Sequence, residues 1–371
     1  MKLLKLGGKI TPIISLFIIL SLMIGGPWGC SNKDVKSVKI GAIVPLTGPV
    51  SFIGKLIKEG MELAKEEVNS KSSEYGFKLE MVYGDNKGEV KEAVSIIQRN
   101  INIDKIKLFM VSPTPTCMAV APIVDRTKTI MFAGSTHPYI TDKSEYIFKT
   151  CASNAEENEL LTKYATNQGI KSVGALFVED DFGQSAIRYF KNHFNGTVLI
   201  EEPYKVSSTD FRHQILKIKR ANPEAVLIQG YGIAFPVILK QIEELGIKSP
   251  ILGNLGFANP PVQNILKTLR PDFVKKIIFS SPAFSQRFTK IIEQKFSKKP
   301  NLNQAFAYDF IKIIASEIKK NGLDIEKIKN SILQINNYSG AFKKIMFLPN
   351  GDSRSTVRLM KVEKGVIVPL D

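Results

Sequence analysis

Apolar and polar positions follow two rhythms along this chain, and the rhythms take turns. Residues 38–46 (VKIGAIVPL) form a nearly unbroken apolar run, rich in β-branched side chains and closed by Thr47-Gly48-Pro49. Such a run predicts a strand buried on both faces of its sheet. From 54 to 69 the apolar residues Leu56, Met61, Leu63, Ala64 and Val68 recur at helical spacing. The couplet then repeats, with strands expected at 78–83, 107–111 and 130–133 and helices at 90–100 and 116–126. A second group follows a break near 149–154: helices at 156–167, 183–194, 209–220 and 234–246, strands at 173–178, 197–201, 225–229 and 250–253. Strands alternating with helices of this length predict parallel βαβ units, hence a doubly wound α/β fold built twice. Two such sheets side by side leave a cleft at the carboxyl ends of their strands, where open α/β sheets bind ligands. The last third reads as helices at 284–296, 304–321 and 325–335. Strands at 341–347 and 356–362 then flank a Pro349-Asn350-Gly351-Asp352 turn as a hairpin.

The N-terminus departs from both rhythms. Lys2, Lys5 and Lys9 precede an apolar run over 10–24, which ends in Gly25-Gly26-Pro27-Trp28-Gly29-Cys30. A positive start, a short apolar core and small residues at the exit are the layout of a secretory signal. Cys30 after Gly29 resembles the lipobox of bacterial lipoproteins, although Pro27 and Trp28 stand where that pattern prefers an aliphatic and a small residue. An uncleaved anchor, which needs roughly 20 apolar residues, and an ordinary signal are the alternatives. All three place the remainder outside the cytoplasm. The expected organisation is therefore a signal peptide at 1–29, lipidation at Cys30 and a tether at 30–37. The rest exceeds what a single core usually holds, so two domains are expected.

Charge and cysteines change the picture little. The formal charge of +16 comes from 51 basic and 35 acidic residues. The surplus is mostly Lys scattered along helices, which reads as a solvated surface; a nucleic-acid reader shows a basic stripe with interleaved aromatics, so no nucleic-acid partner is expected. Cys117 and Cys151 either pair in an oxidising compartment or stay as two buried thiols.

Catalytic patterns are missing. His137, His193 and His213 have no metal-ligand spacing, and no nucleophile elbow, phosphate loop or paired-cysteine motif occurs. No enzyme activity, metal or cofactor is expected, and Glu179-Asp180-Asp181 reads as a strand-exit loop shaping a pocket rim. Hydroxyl-rich loops follow two predicted strands instead. Ser112-Pro113-Thr114-Pro115-Thr116 opens a helix, and Gly134-Ser135-Thr136-His137-Pro138 follows the strand at 130–133. Hydroxyls and free N–H groups at a helix start suit an anionic group such as a carboxylate; helix capping by Thr114 or Thr116 is the plainer role for the first loop. Phe52, Phe182 and Tyr231 also lie in strand-exit loops and together make pocket walls.

The order of these segments resembles the type I periplasmic binding proteins of the leucine/isoleucine/valine-binding family. The likeness runs from KIGAIVPLTGPVSFIGKLIKEGMELAKEEVN through KLEMVYGDN, TCMAVAPIVDRTKTIMFAGSTHPYIT, YIFKTCASNAEE, ALFVEDDFGQS and FRHQILKIKRANPEAVLIQGYG to the tail. There LNQAFAYDFIKIIASEIKKNG and FKKIMFLPNGDSRSTVRLMKVEKG agree as well.

The resemblance implies two lobes joined by three crossover strands, near Thr150, Ser280 and Ser339. Lobe one would hold 38–150 and 282–338, and lobe two 151–281 and 339–371. It also implies a ligand carboxylate held by Ser112, Thr114, Ser135 and Thr136, with aromatic walls at Phe52 (or Ile53), Phe182 and Tyr231. The acid that faces a ligand's ammonium in amino-acid binders falls on Leu255, and one carboxylate-binding hydroxyl falls near Pro113. Glu179 to Asp181 are the acids placed to replace the lost charge.

The functional expectation is an exported, lipid-anchored, monomeric substrate-binding component of an ABC importer, with permease transmembrane subunits as partners. Its solute would be an amino acid or a related carboxylate or amide. The rival reading is a ligand sensor or protein-interaction lipoprotein with the same fold and no transport role.

Overall fold

The computed structural model describes residues 36–370. The expected signal peptide and Cys30 lie outside these residues. Lys36 and Ser37, expected in the tether, instead open the first strand, where they pair with Phe77 and Lys78.

The chain begins β1 (Lys36–Val44), α1 (Ser51–Asn69), a single turn α2 (Ser72–Tyr75), β2 (Phe77–Asp85), α3 (Val90–Asn102), β3 (Leu108–Val111), α4 (Thr114–Thr127), β4 (Ile130–Ala133) and β5 (Ile147–Phe148). It continues α5 (Asn154–Asn167), β6 (Ser172–Val178), α6 (Asp181–His193), β7 (Thr197–Tyr204), α7 (Arg212–Ala221), β8 (Ala225–Gln229), α8 (Ala234–Glu244), β9 (Ile251–Gly253), α9 (Pro260–Leu266), α10 (Pro271–Val274) and β10 (Ile277–Pro282). The last part is α11 (Gln286–Phe296), α12 (Leu302–Asn321), α13 (Ile325–Leu333), β11 (Met346–Phe347), β12 (Ser353–Arg354), β13 (Val357–Glu363) and β14 (Val366–Pro369).

The strands form two main sheets. The first has the order β2-β1-β3-β4-β5 and is parallel throughout; the second runs β14-β13-β10-β9-β8-β6-β7. Its β10-β9-β8-β6-β7 part is parallel, while β13 and β14 close the edge antiparallel. Strand β1 is buried from Ile40 to Val44, as a strand covered on both faces should be.

The helices that carry the site are well started. Ser153 and Glu156 form a reciprocal capping box on α5, with Glu156 N–H donating to Ser153 Oγ at 3.3 Å and Ser153 N–H to Glu156 Oε2 at 2.9 Å. Asn301 and Gln304 do the same for α12.

Helix α12 is buried along most of its length and packs on α1 in the first core. The approach is close at Gly60, where a Cβ would stand 2.2 Å from the carbonyl oxygen of Gln304. Backbone cannot move aside as a flexible side chain can, so Gly60→Ala is expected to destabilise the protein by about 1–3 kcal/mol. A urea unfolding curve checks this; an unchanged midpoint would mean that the two helices are not held so closely.

Two expectations about the C-terminal region are corrected. The 341–347 and 356–362 segments do not pair with each other. Only Met346 and Phe347 form a short ladder, with Arg354 and Ser353, around the predicted turn. Strand β13 lies antiparallel to β10 instead, and it buries Met360 and Val362 in the second core. The third crossing, expected near Ser339, also falls later, between β12 and β13. Ala341, Phe342, Ile345 and Phe347 belong to the first core. Asp309 of α12 ties this segment down by accepting the N–H groups of Ala341 at 2.7 Å and Phe342 at 3.3 Å.

Candidate functional site

Where the carboxyl ends of the two sheets face each other, residues from both line a partly open cavity of about 60 Å³.

One wall is built from the ends of β3 and β4. Ser112 follows β3, and its Oγ donates to the carbonyl of Gly134 at 3.0 Å. Asn86 holds the Ser112 carbonyl through Nδ2 at 2.7 Å. Thr114 starts α4, and its Oγ1 lies 2.8 Å from Ser135 Oγ. Ser135 Oγ accepts the N–H of His137 at 3.1 Å, which fixes that loop against itself. Gly134 permits the close approach, because a Cβ there would stand 2.7 Å from Ser112 Cβ and 3.0 Å from Phe306 Cζ. Thr136 Oγ1 is buried without a hydrogen-bond partner. The N–H groups of Thr114, Ser135 and Thr136 also find no acceptor among the described residues. This wall therefore presents uncommitted donors beside the start of a long helix, a natural seat for negative charge.

The facing wall comes from the second sheet. Phe182 and Tyr231 meet edge to face with centroids 5.5 Å apart. The Tyr231 hydroxyl donates to Asp180, whose other oxygen accepts the Gly183 N–H at 3.1 Å. Burial raises the Asp180 carboxyl above its ordinary range and raises the Tyr231 phenol further. Behind Leu255, the fully buried Glu157 accepts the Leu255 N–H at 3.1 Å and the Ser280 hydroxyl at 2.6 Å through one oxygen. Desolvation lifts Glu157 to about 7, against the pull of those two donors. Asn254 donates from Nδ2 to Gly230 O at 3.0 Å. Asn301, whose Nδ2 donates to Asn259 Oδ1 at 3.0 Å, joins the two halves beside the cavity.

Of the residues expected from sequence, Ser112, Thr114, Ser135, Thr136, Phe182, Tyr231 and Leu255 all line this one cavity. Phe52 does not. It packs against the first core, and the next residue along α1, Ile53, takes the wall position. The acids at 179–181 do not line it either: Glu179 is exposed near Lys205, Asp180 is engaged by Tyr231, and Asp181 is exposed. Sequence reasoning missed Asn254, Asn259, Leu302, Asn303, Phe306 and Glu157. The capping pattern at Asn301 was a signal for the start of α12 that the reading of a helix from 304 did not use, and nothing local showed that this start faces the cavity.

Cys117 and Cys151 are free, buried thiols, so they do not pair; burial raises both, Cys151 to about 12. Among the described residues no group of three or more His, Cys, Asp or Glu side chains could hold a metal ion.

Comparison with known proteins gives a consistent result. A family profile described as "Periplasmic binding protein" matches residues 37–366. The Leu/Ile/Val-binding protein BraC3 of Rhizobium johnstonii is 26% identical over 347 residues, covering 89% of this chain and 93% of that protein. The structure of the leucine binding protein LivK from Thermotoga maritima superposes with a TM-score of 0.83 at 26% identity, covering 90% of this chain and 98% of that one. A solute binding protein of an ABC transporter from R. palustris in complex with benzoate shares the fold, with a TM-score of 0.81 at 18% identity over 90% and 95% of the two chains.

Proposed function

Because this chain belongs to the periplasmic binding protein family, in its type I Leu/Ile/Val-binding branch, we propose that it is the substrate-binding lipoprotein of an ABC importer. Membership makes it a solute-binding protein of the exported class and not an enzyme. In this reading Cys30 carries the lipid anchor, and a monomer delivers its cargo to permease transmembrane subunits. The cargo is a small organic carboxylate or amide, amino acids included.

One observation carries the ligand assignment. The N–H groups of Thr114, Ser135 and Thr136 and the Thr136 hydroxyl are uncommitted, and these residues line the cavity between the sheets. Buried donors without acceptors are unfavourable, and a carboxylate satisfies several of them at once with charge-assisted hydrogen bonds. Closure of the two halves around the solute would then exclude water.

A thermal-shift screen of amino acids, simple carboxylates and amides tests this. A ligand at 100 times its Kd adds about 2.7 kcal/mol, which shows as a shift of several degrees. No shift with any member would overturn the reading. Thr136→Val sharpens the test. Its hydroxyl makes no bond within the protein, so the free variant is expected to melt with the wild type. Loss of one hydrogen bond to a charged group should weaken the ligand by roughly 1.5 kcal/mol or more, above tenfold. Unchanged affinity would remove Thr136 from the site.

A further inference from the structure

The first sheet is parallel throughout, so its strands all begin at one end, opposite the cavity. Exposed lysines gather at that end. Lys36 opens β1 and Lys78 lies at the start of β2, while Lys105 and Lys107 precede β3 and Lys128 precedes β4. None of the five forms an ion pair among the described residues. Most neighbouring acids already have partners. Glu74 pairs with Lys319 at 2.9 Å and Asp324 with Lys327 at 3.6 Å, while Glu145 and Glu326 share Lys329 at 2.8 and 2.9 Å. Glu80 accepts the Ser37 hydroxyl at 3.3 Å, which leaves Asp104 and Asp125 to oppose the five lysines.

This end also exposes apolar side chains. Ile103, which closes α3 just before Lys105, is 72% exposed, the most of any large apolar residue among those described. Its loop is folded back on the helix: Ile103 N–H donates to Arg99 O at 2.8 Å, and Ile106 N–H to Asn100 O at 3.0 Å. Leu323, 43% exposed, follows the end of α12. The Lys319–Glu74 pair and the hydrogen bond from the Tyr146 hydroxyl to Glu326 hold that turn beside the starts of β2 and β5.

A single exposed apolar residue is ordinary. Two of them among unpaired lysines match the chemistry of a bilayer surface. A lysine within a Debye length, about 10 Å, of anionic headgroups strengthens binding roughly fivefold. Apolar side chains enter the boundary between headgroups and acyl chains. The position fits as well. Strand β1 begins here, so the 35 residues before Lys36, with the proposed anchor at Cys30, reach the folded part at this end.

Resting on the anchored reading above, we propose that this end of the first sheet is a docking face for anionic phospholipid headgroups. Lys36, Lys78, Lys105, Lys107 and Lys128 meet the headgroups, and Ile103 and Leu323 seat below them. The molecule then stands on the starting edge of its first sheet. The cavity, at the opposite ends of the same strands, is turned away from the membrane and stays open to solute.

Lysine acylation read by mass spectrometry on the full chain tests this. Vesicles of phosphatidylcholine alone are compared with vesicles of equal parts phosphatidylcholine and phosphatidylglycerol. Lys248 and Lys275, exposed at the starts of β9 and β10 in the second sheet, serve as references. On the mixed vesicles, acylation of the five lysines is expected to fall roughly threefold or more against the references, and to recover in high salt. Phosphatidylcholine alone should give no such fall. Lys78→Glu with Lys107→Glu, and Ile103→Ser in a separate protein, should each remove more than half of the protection at the lysines that remain. Equal acylation on the two kinds of vesicle, or protection that these substitutions leave intact, overturns the inference. Flotation with phosphatidylcholine vesicles reads the anchor separately. Its loss would overturn the anchor, and protection on the mixed vesicles would still decide the docking face.

Discussion

Replacing Asp352 by alanine is expected to lower the stability of the protein by about 3–5 kcal/mol, the range for breaking a buried ion pair from one side. Lys149 is fully buried at the border where the chain first leaves the first sheet, and its Nζ lies 3.1 Å from Asp352 Oδ1. Its other polar contact is the His137 carbonyl at 3.3 Å. Without the carboxylate, the ammonium keeps one hydrogen-bond acceptor among the described residues, the neutral His137 carbonyl. The pair also holds the β11–β12 turn to the strand end, where the Lys149 N–H meets Gly351 O at 3.3 Å. Replacing both members by apolar residues of similar size, Lys149→Met with Asp352→Leu, should recover more than half of the loss, because no uncompensated charge remains. Urea unfolding at neutral pH reads both variants. An Asp352→Ala protein within 1 kcal/mol of the wild type would show that the ammonium finds other compensation.

The second large effect depends on pH. Burial raises Glu157 from 4.5 to about 7, opposed by the Ser280 hydroxyl, the Leu255 N–H and the more distant Lys149, and assisted by Glu156. For an acid with a raised folded value, the native state keeps its proton after the unfolded chain has released it. The native state is therefore penalised as pH climbs from about 4.5, and the penalty is complete above about 7. A shift of this size corresponds to about 3 kcal/mol. Glu157→Gln keeps a carboxamide oxygen for the Ser280 hydroxyl and the Leu255 N–H while removing the ionisation. The variant should match the wild type near pH 4.5 and be more stable by about 3 kcal/mol at pH 8. Other titrating groups cancel in this difference, so unfolding curves of the two proteins over that pH range suffice. An offset that stays constant across the range would mean that Glu157 does not change its ionisation on folding.

Much of this molecule was readable before its structure. Residues 38–46 announce a strand buried on both faces because a parallel sheet covered by helices leaves no polar side. The hydroxyl loops at 112–116 and 134–138 were legible because they directly follow such strands, and a doubly wound sheet gathers those ends in one place. What escaped has a common physical cause: it depends on partners distant in sequence. The Pro349–Asp352 turn was visible, but the alternation in 357–363 fits any sheet edge, and only the exposed side of β10 decides which one it joins. The apolar pattern did not mark strand β10 (IIFSSP) because of its serines, and only the resemblance put a crossover strand near Ser280; Ser280 and Ser281 are buried, and Ser280 bonds to Glu157. Phe52 and Ile53 illustrate the same limit at a finer scale, since one step along a helix turns a side chain by about 100° and decides which of the two reaches the cavity. Lys149, Glu157 and Asp309 read locally as surface charges, and tertiary packing alone buries them.

Amide hydrogen exchange on the protein saturated with the tightest-binding acid of the panel tests the central claim most directly. A carboxylate seated on the first wall should slow exchange at Thr114, Ser135 and Thr136, whose N–H groups have no acceptor among the described residues. Unchanged exchange at all three, with a bound ligand protecting some other part of the chain, would contradict the account.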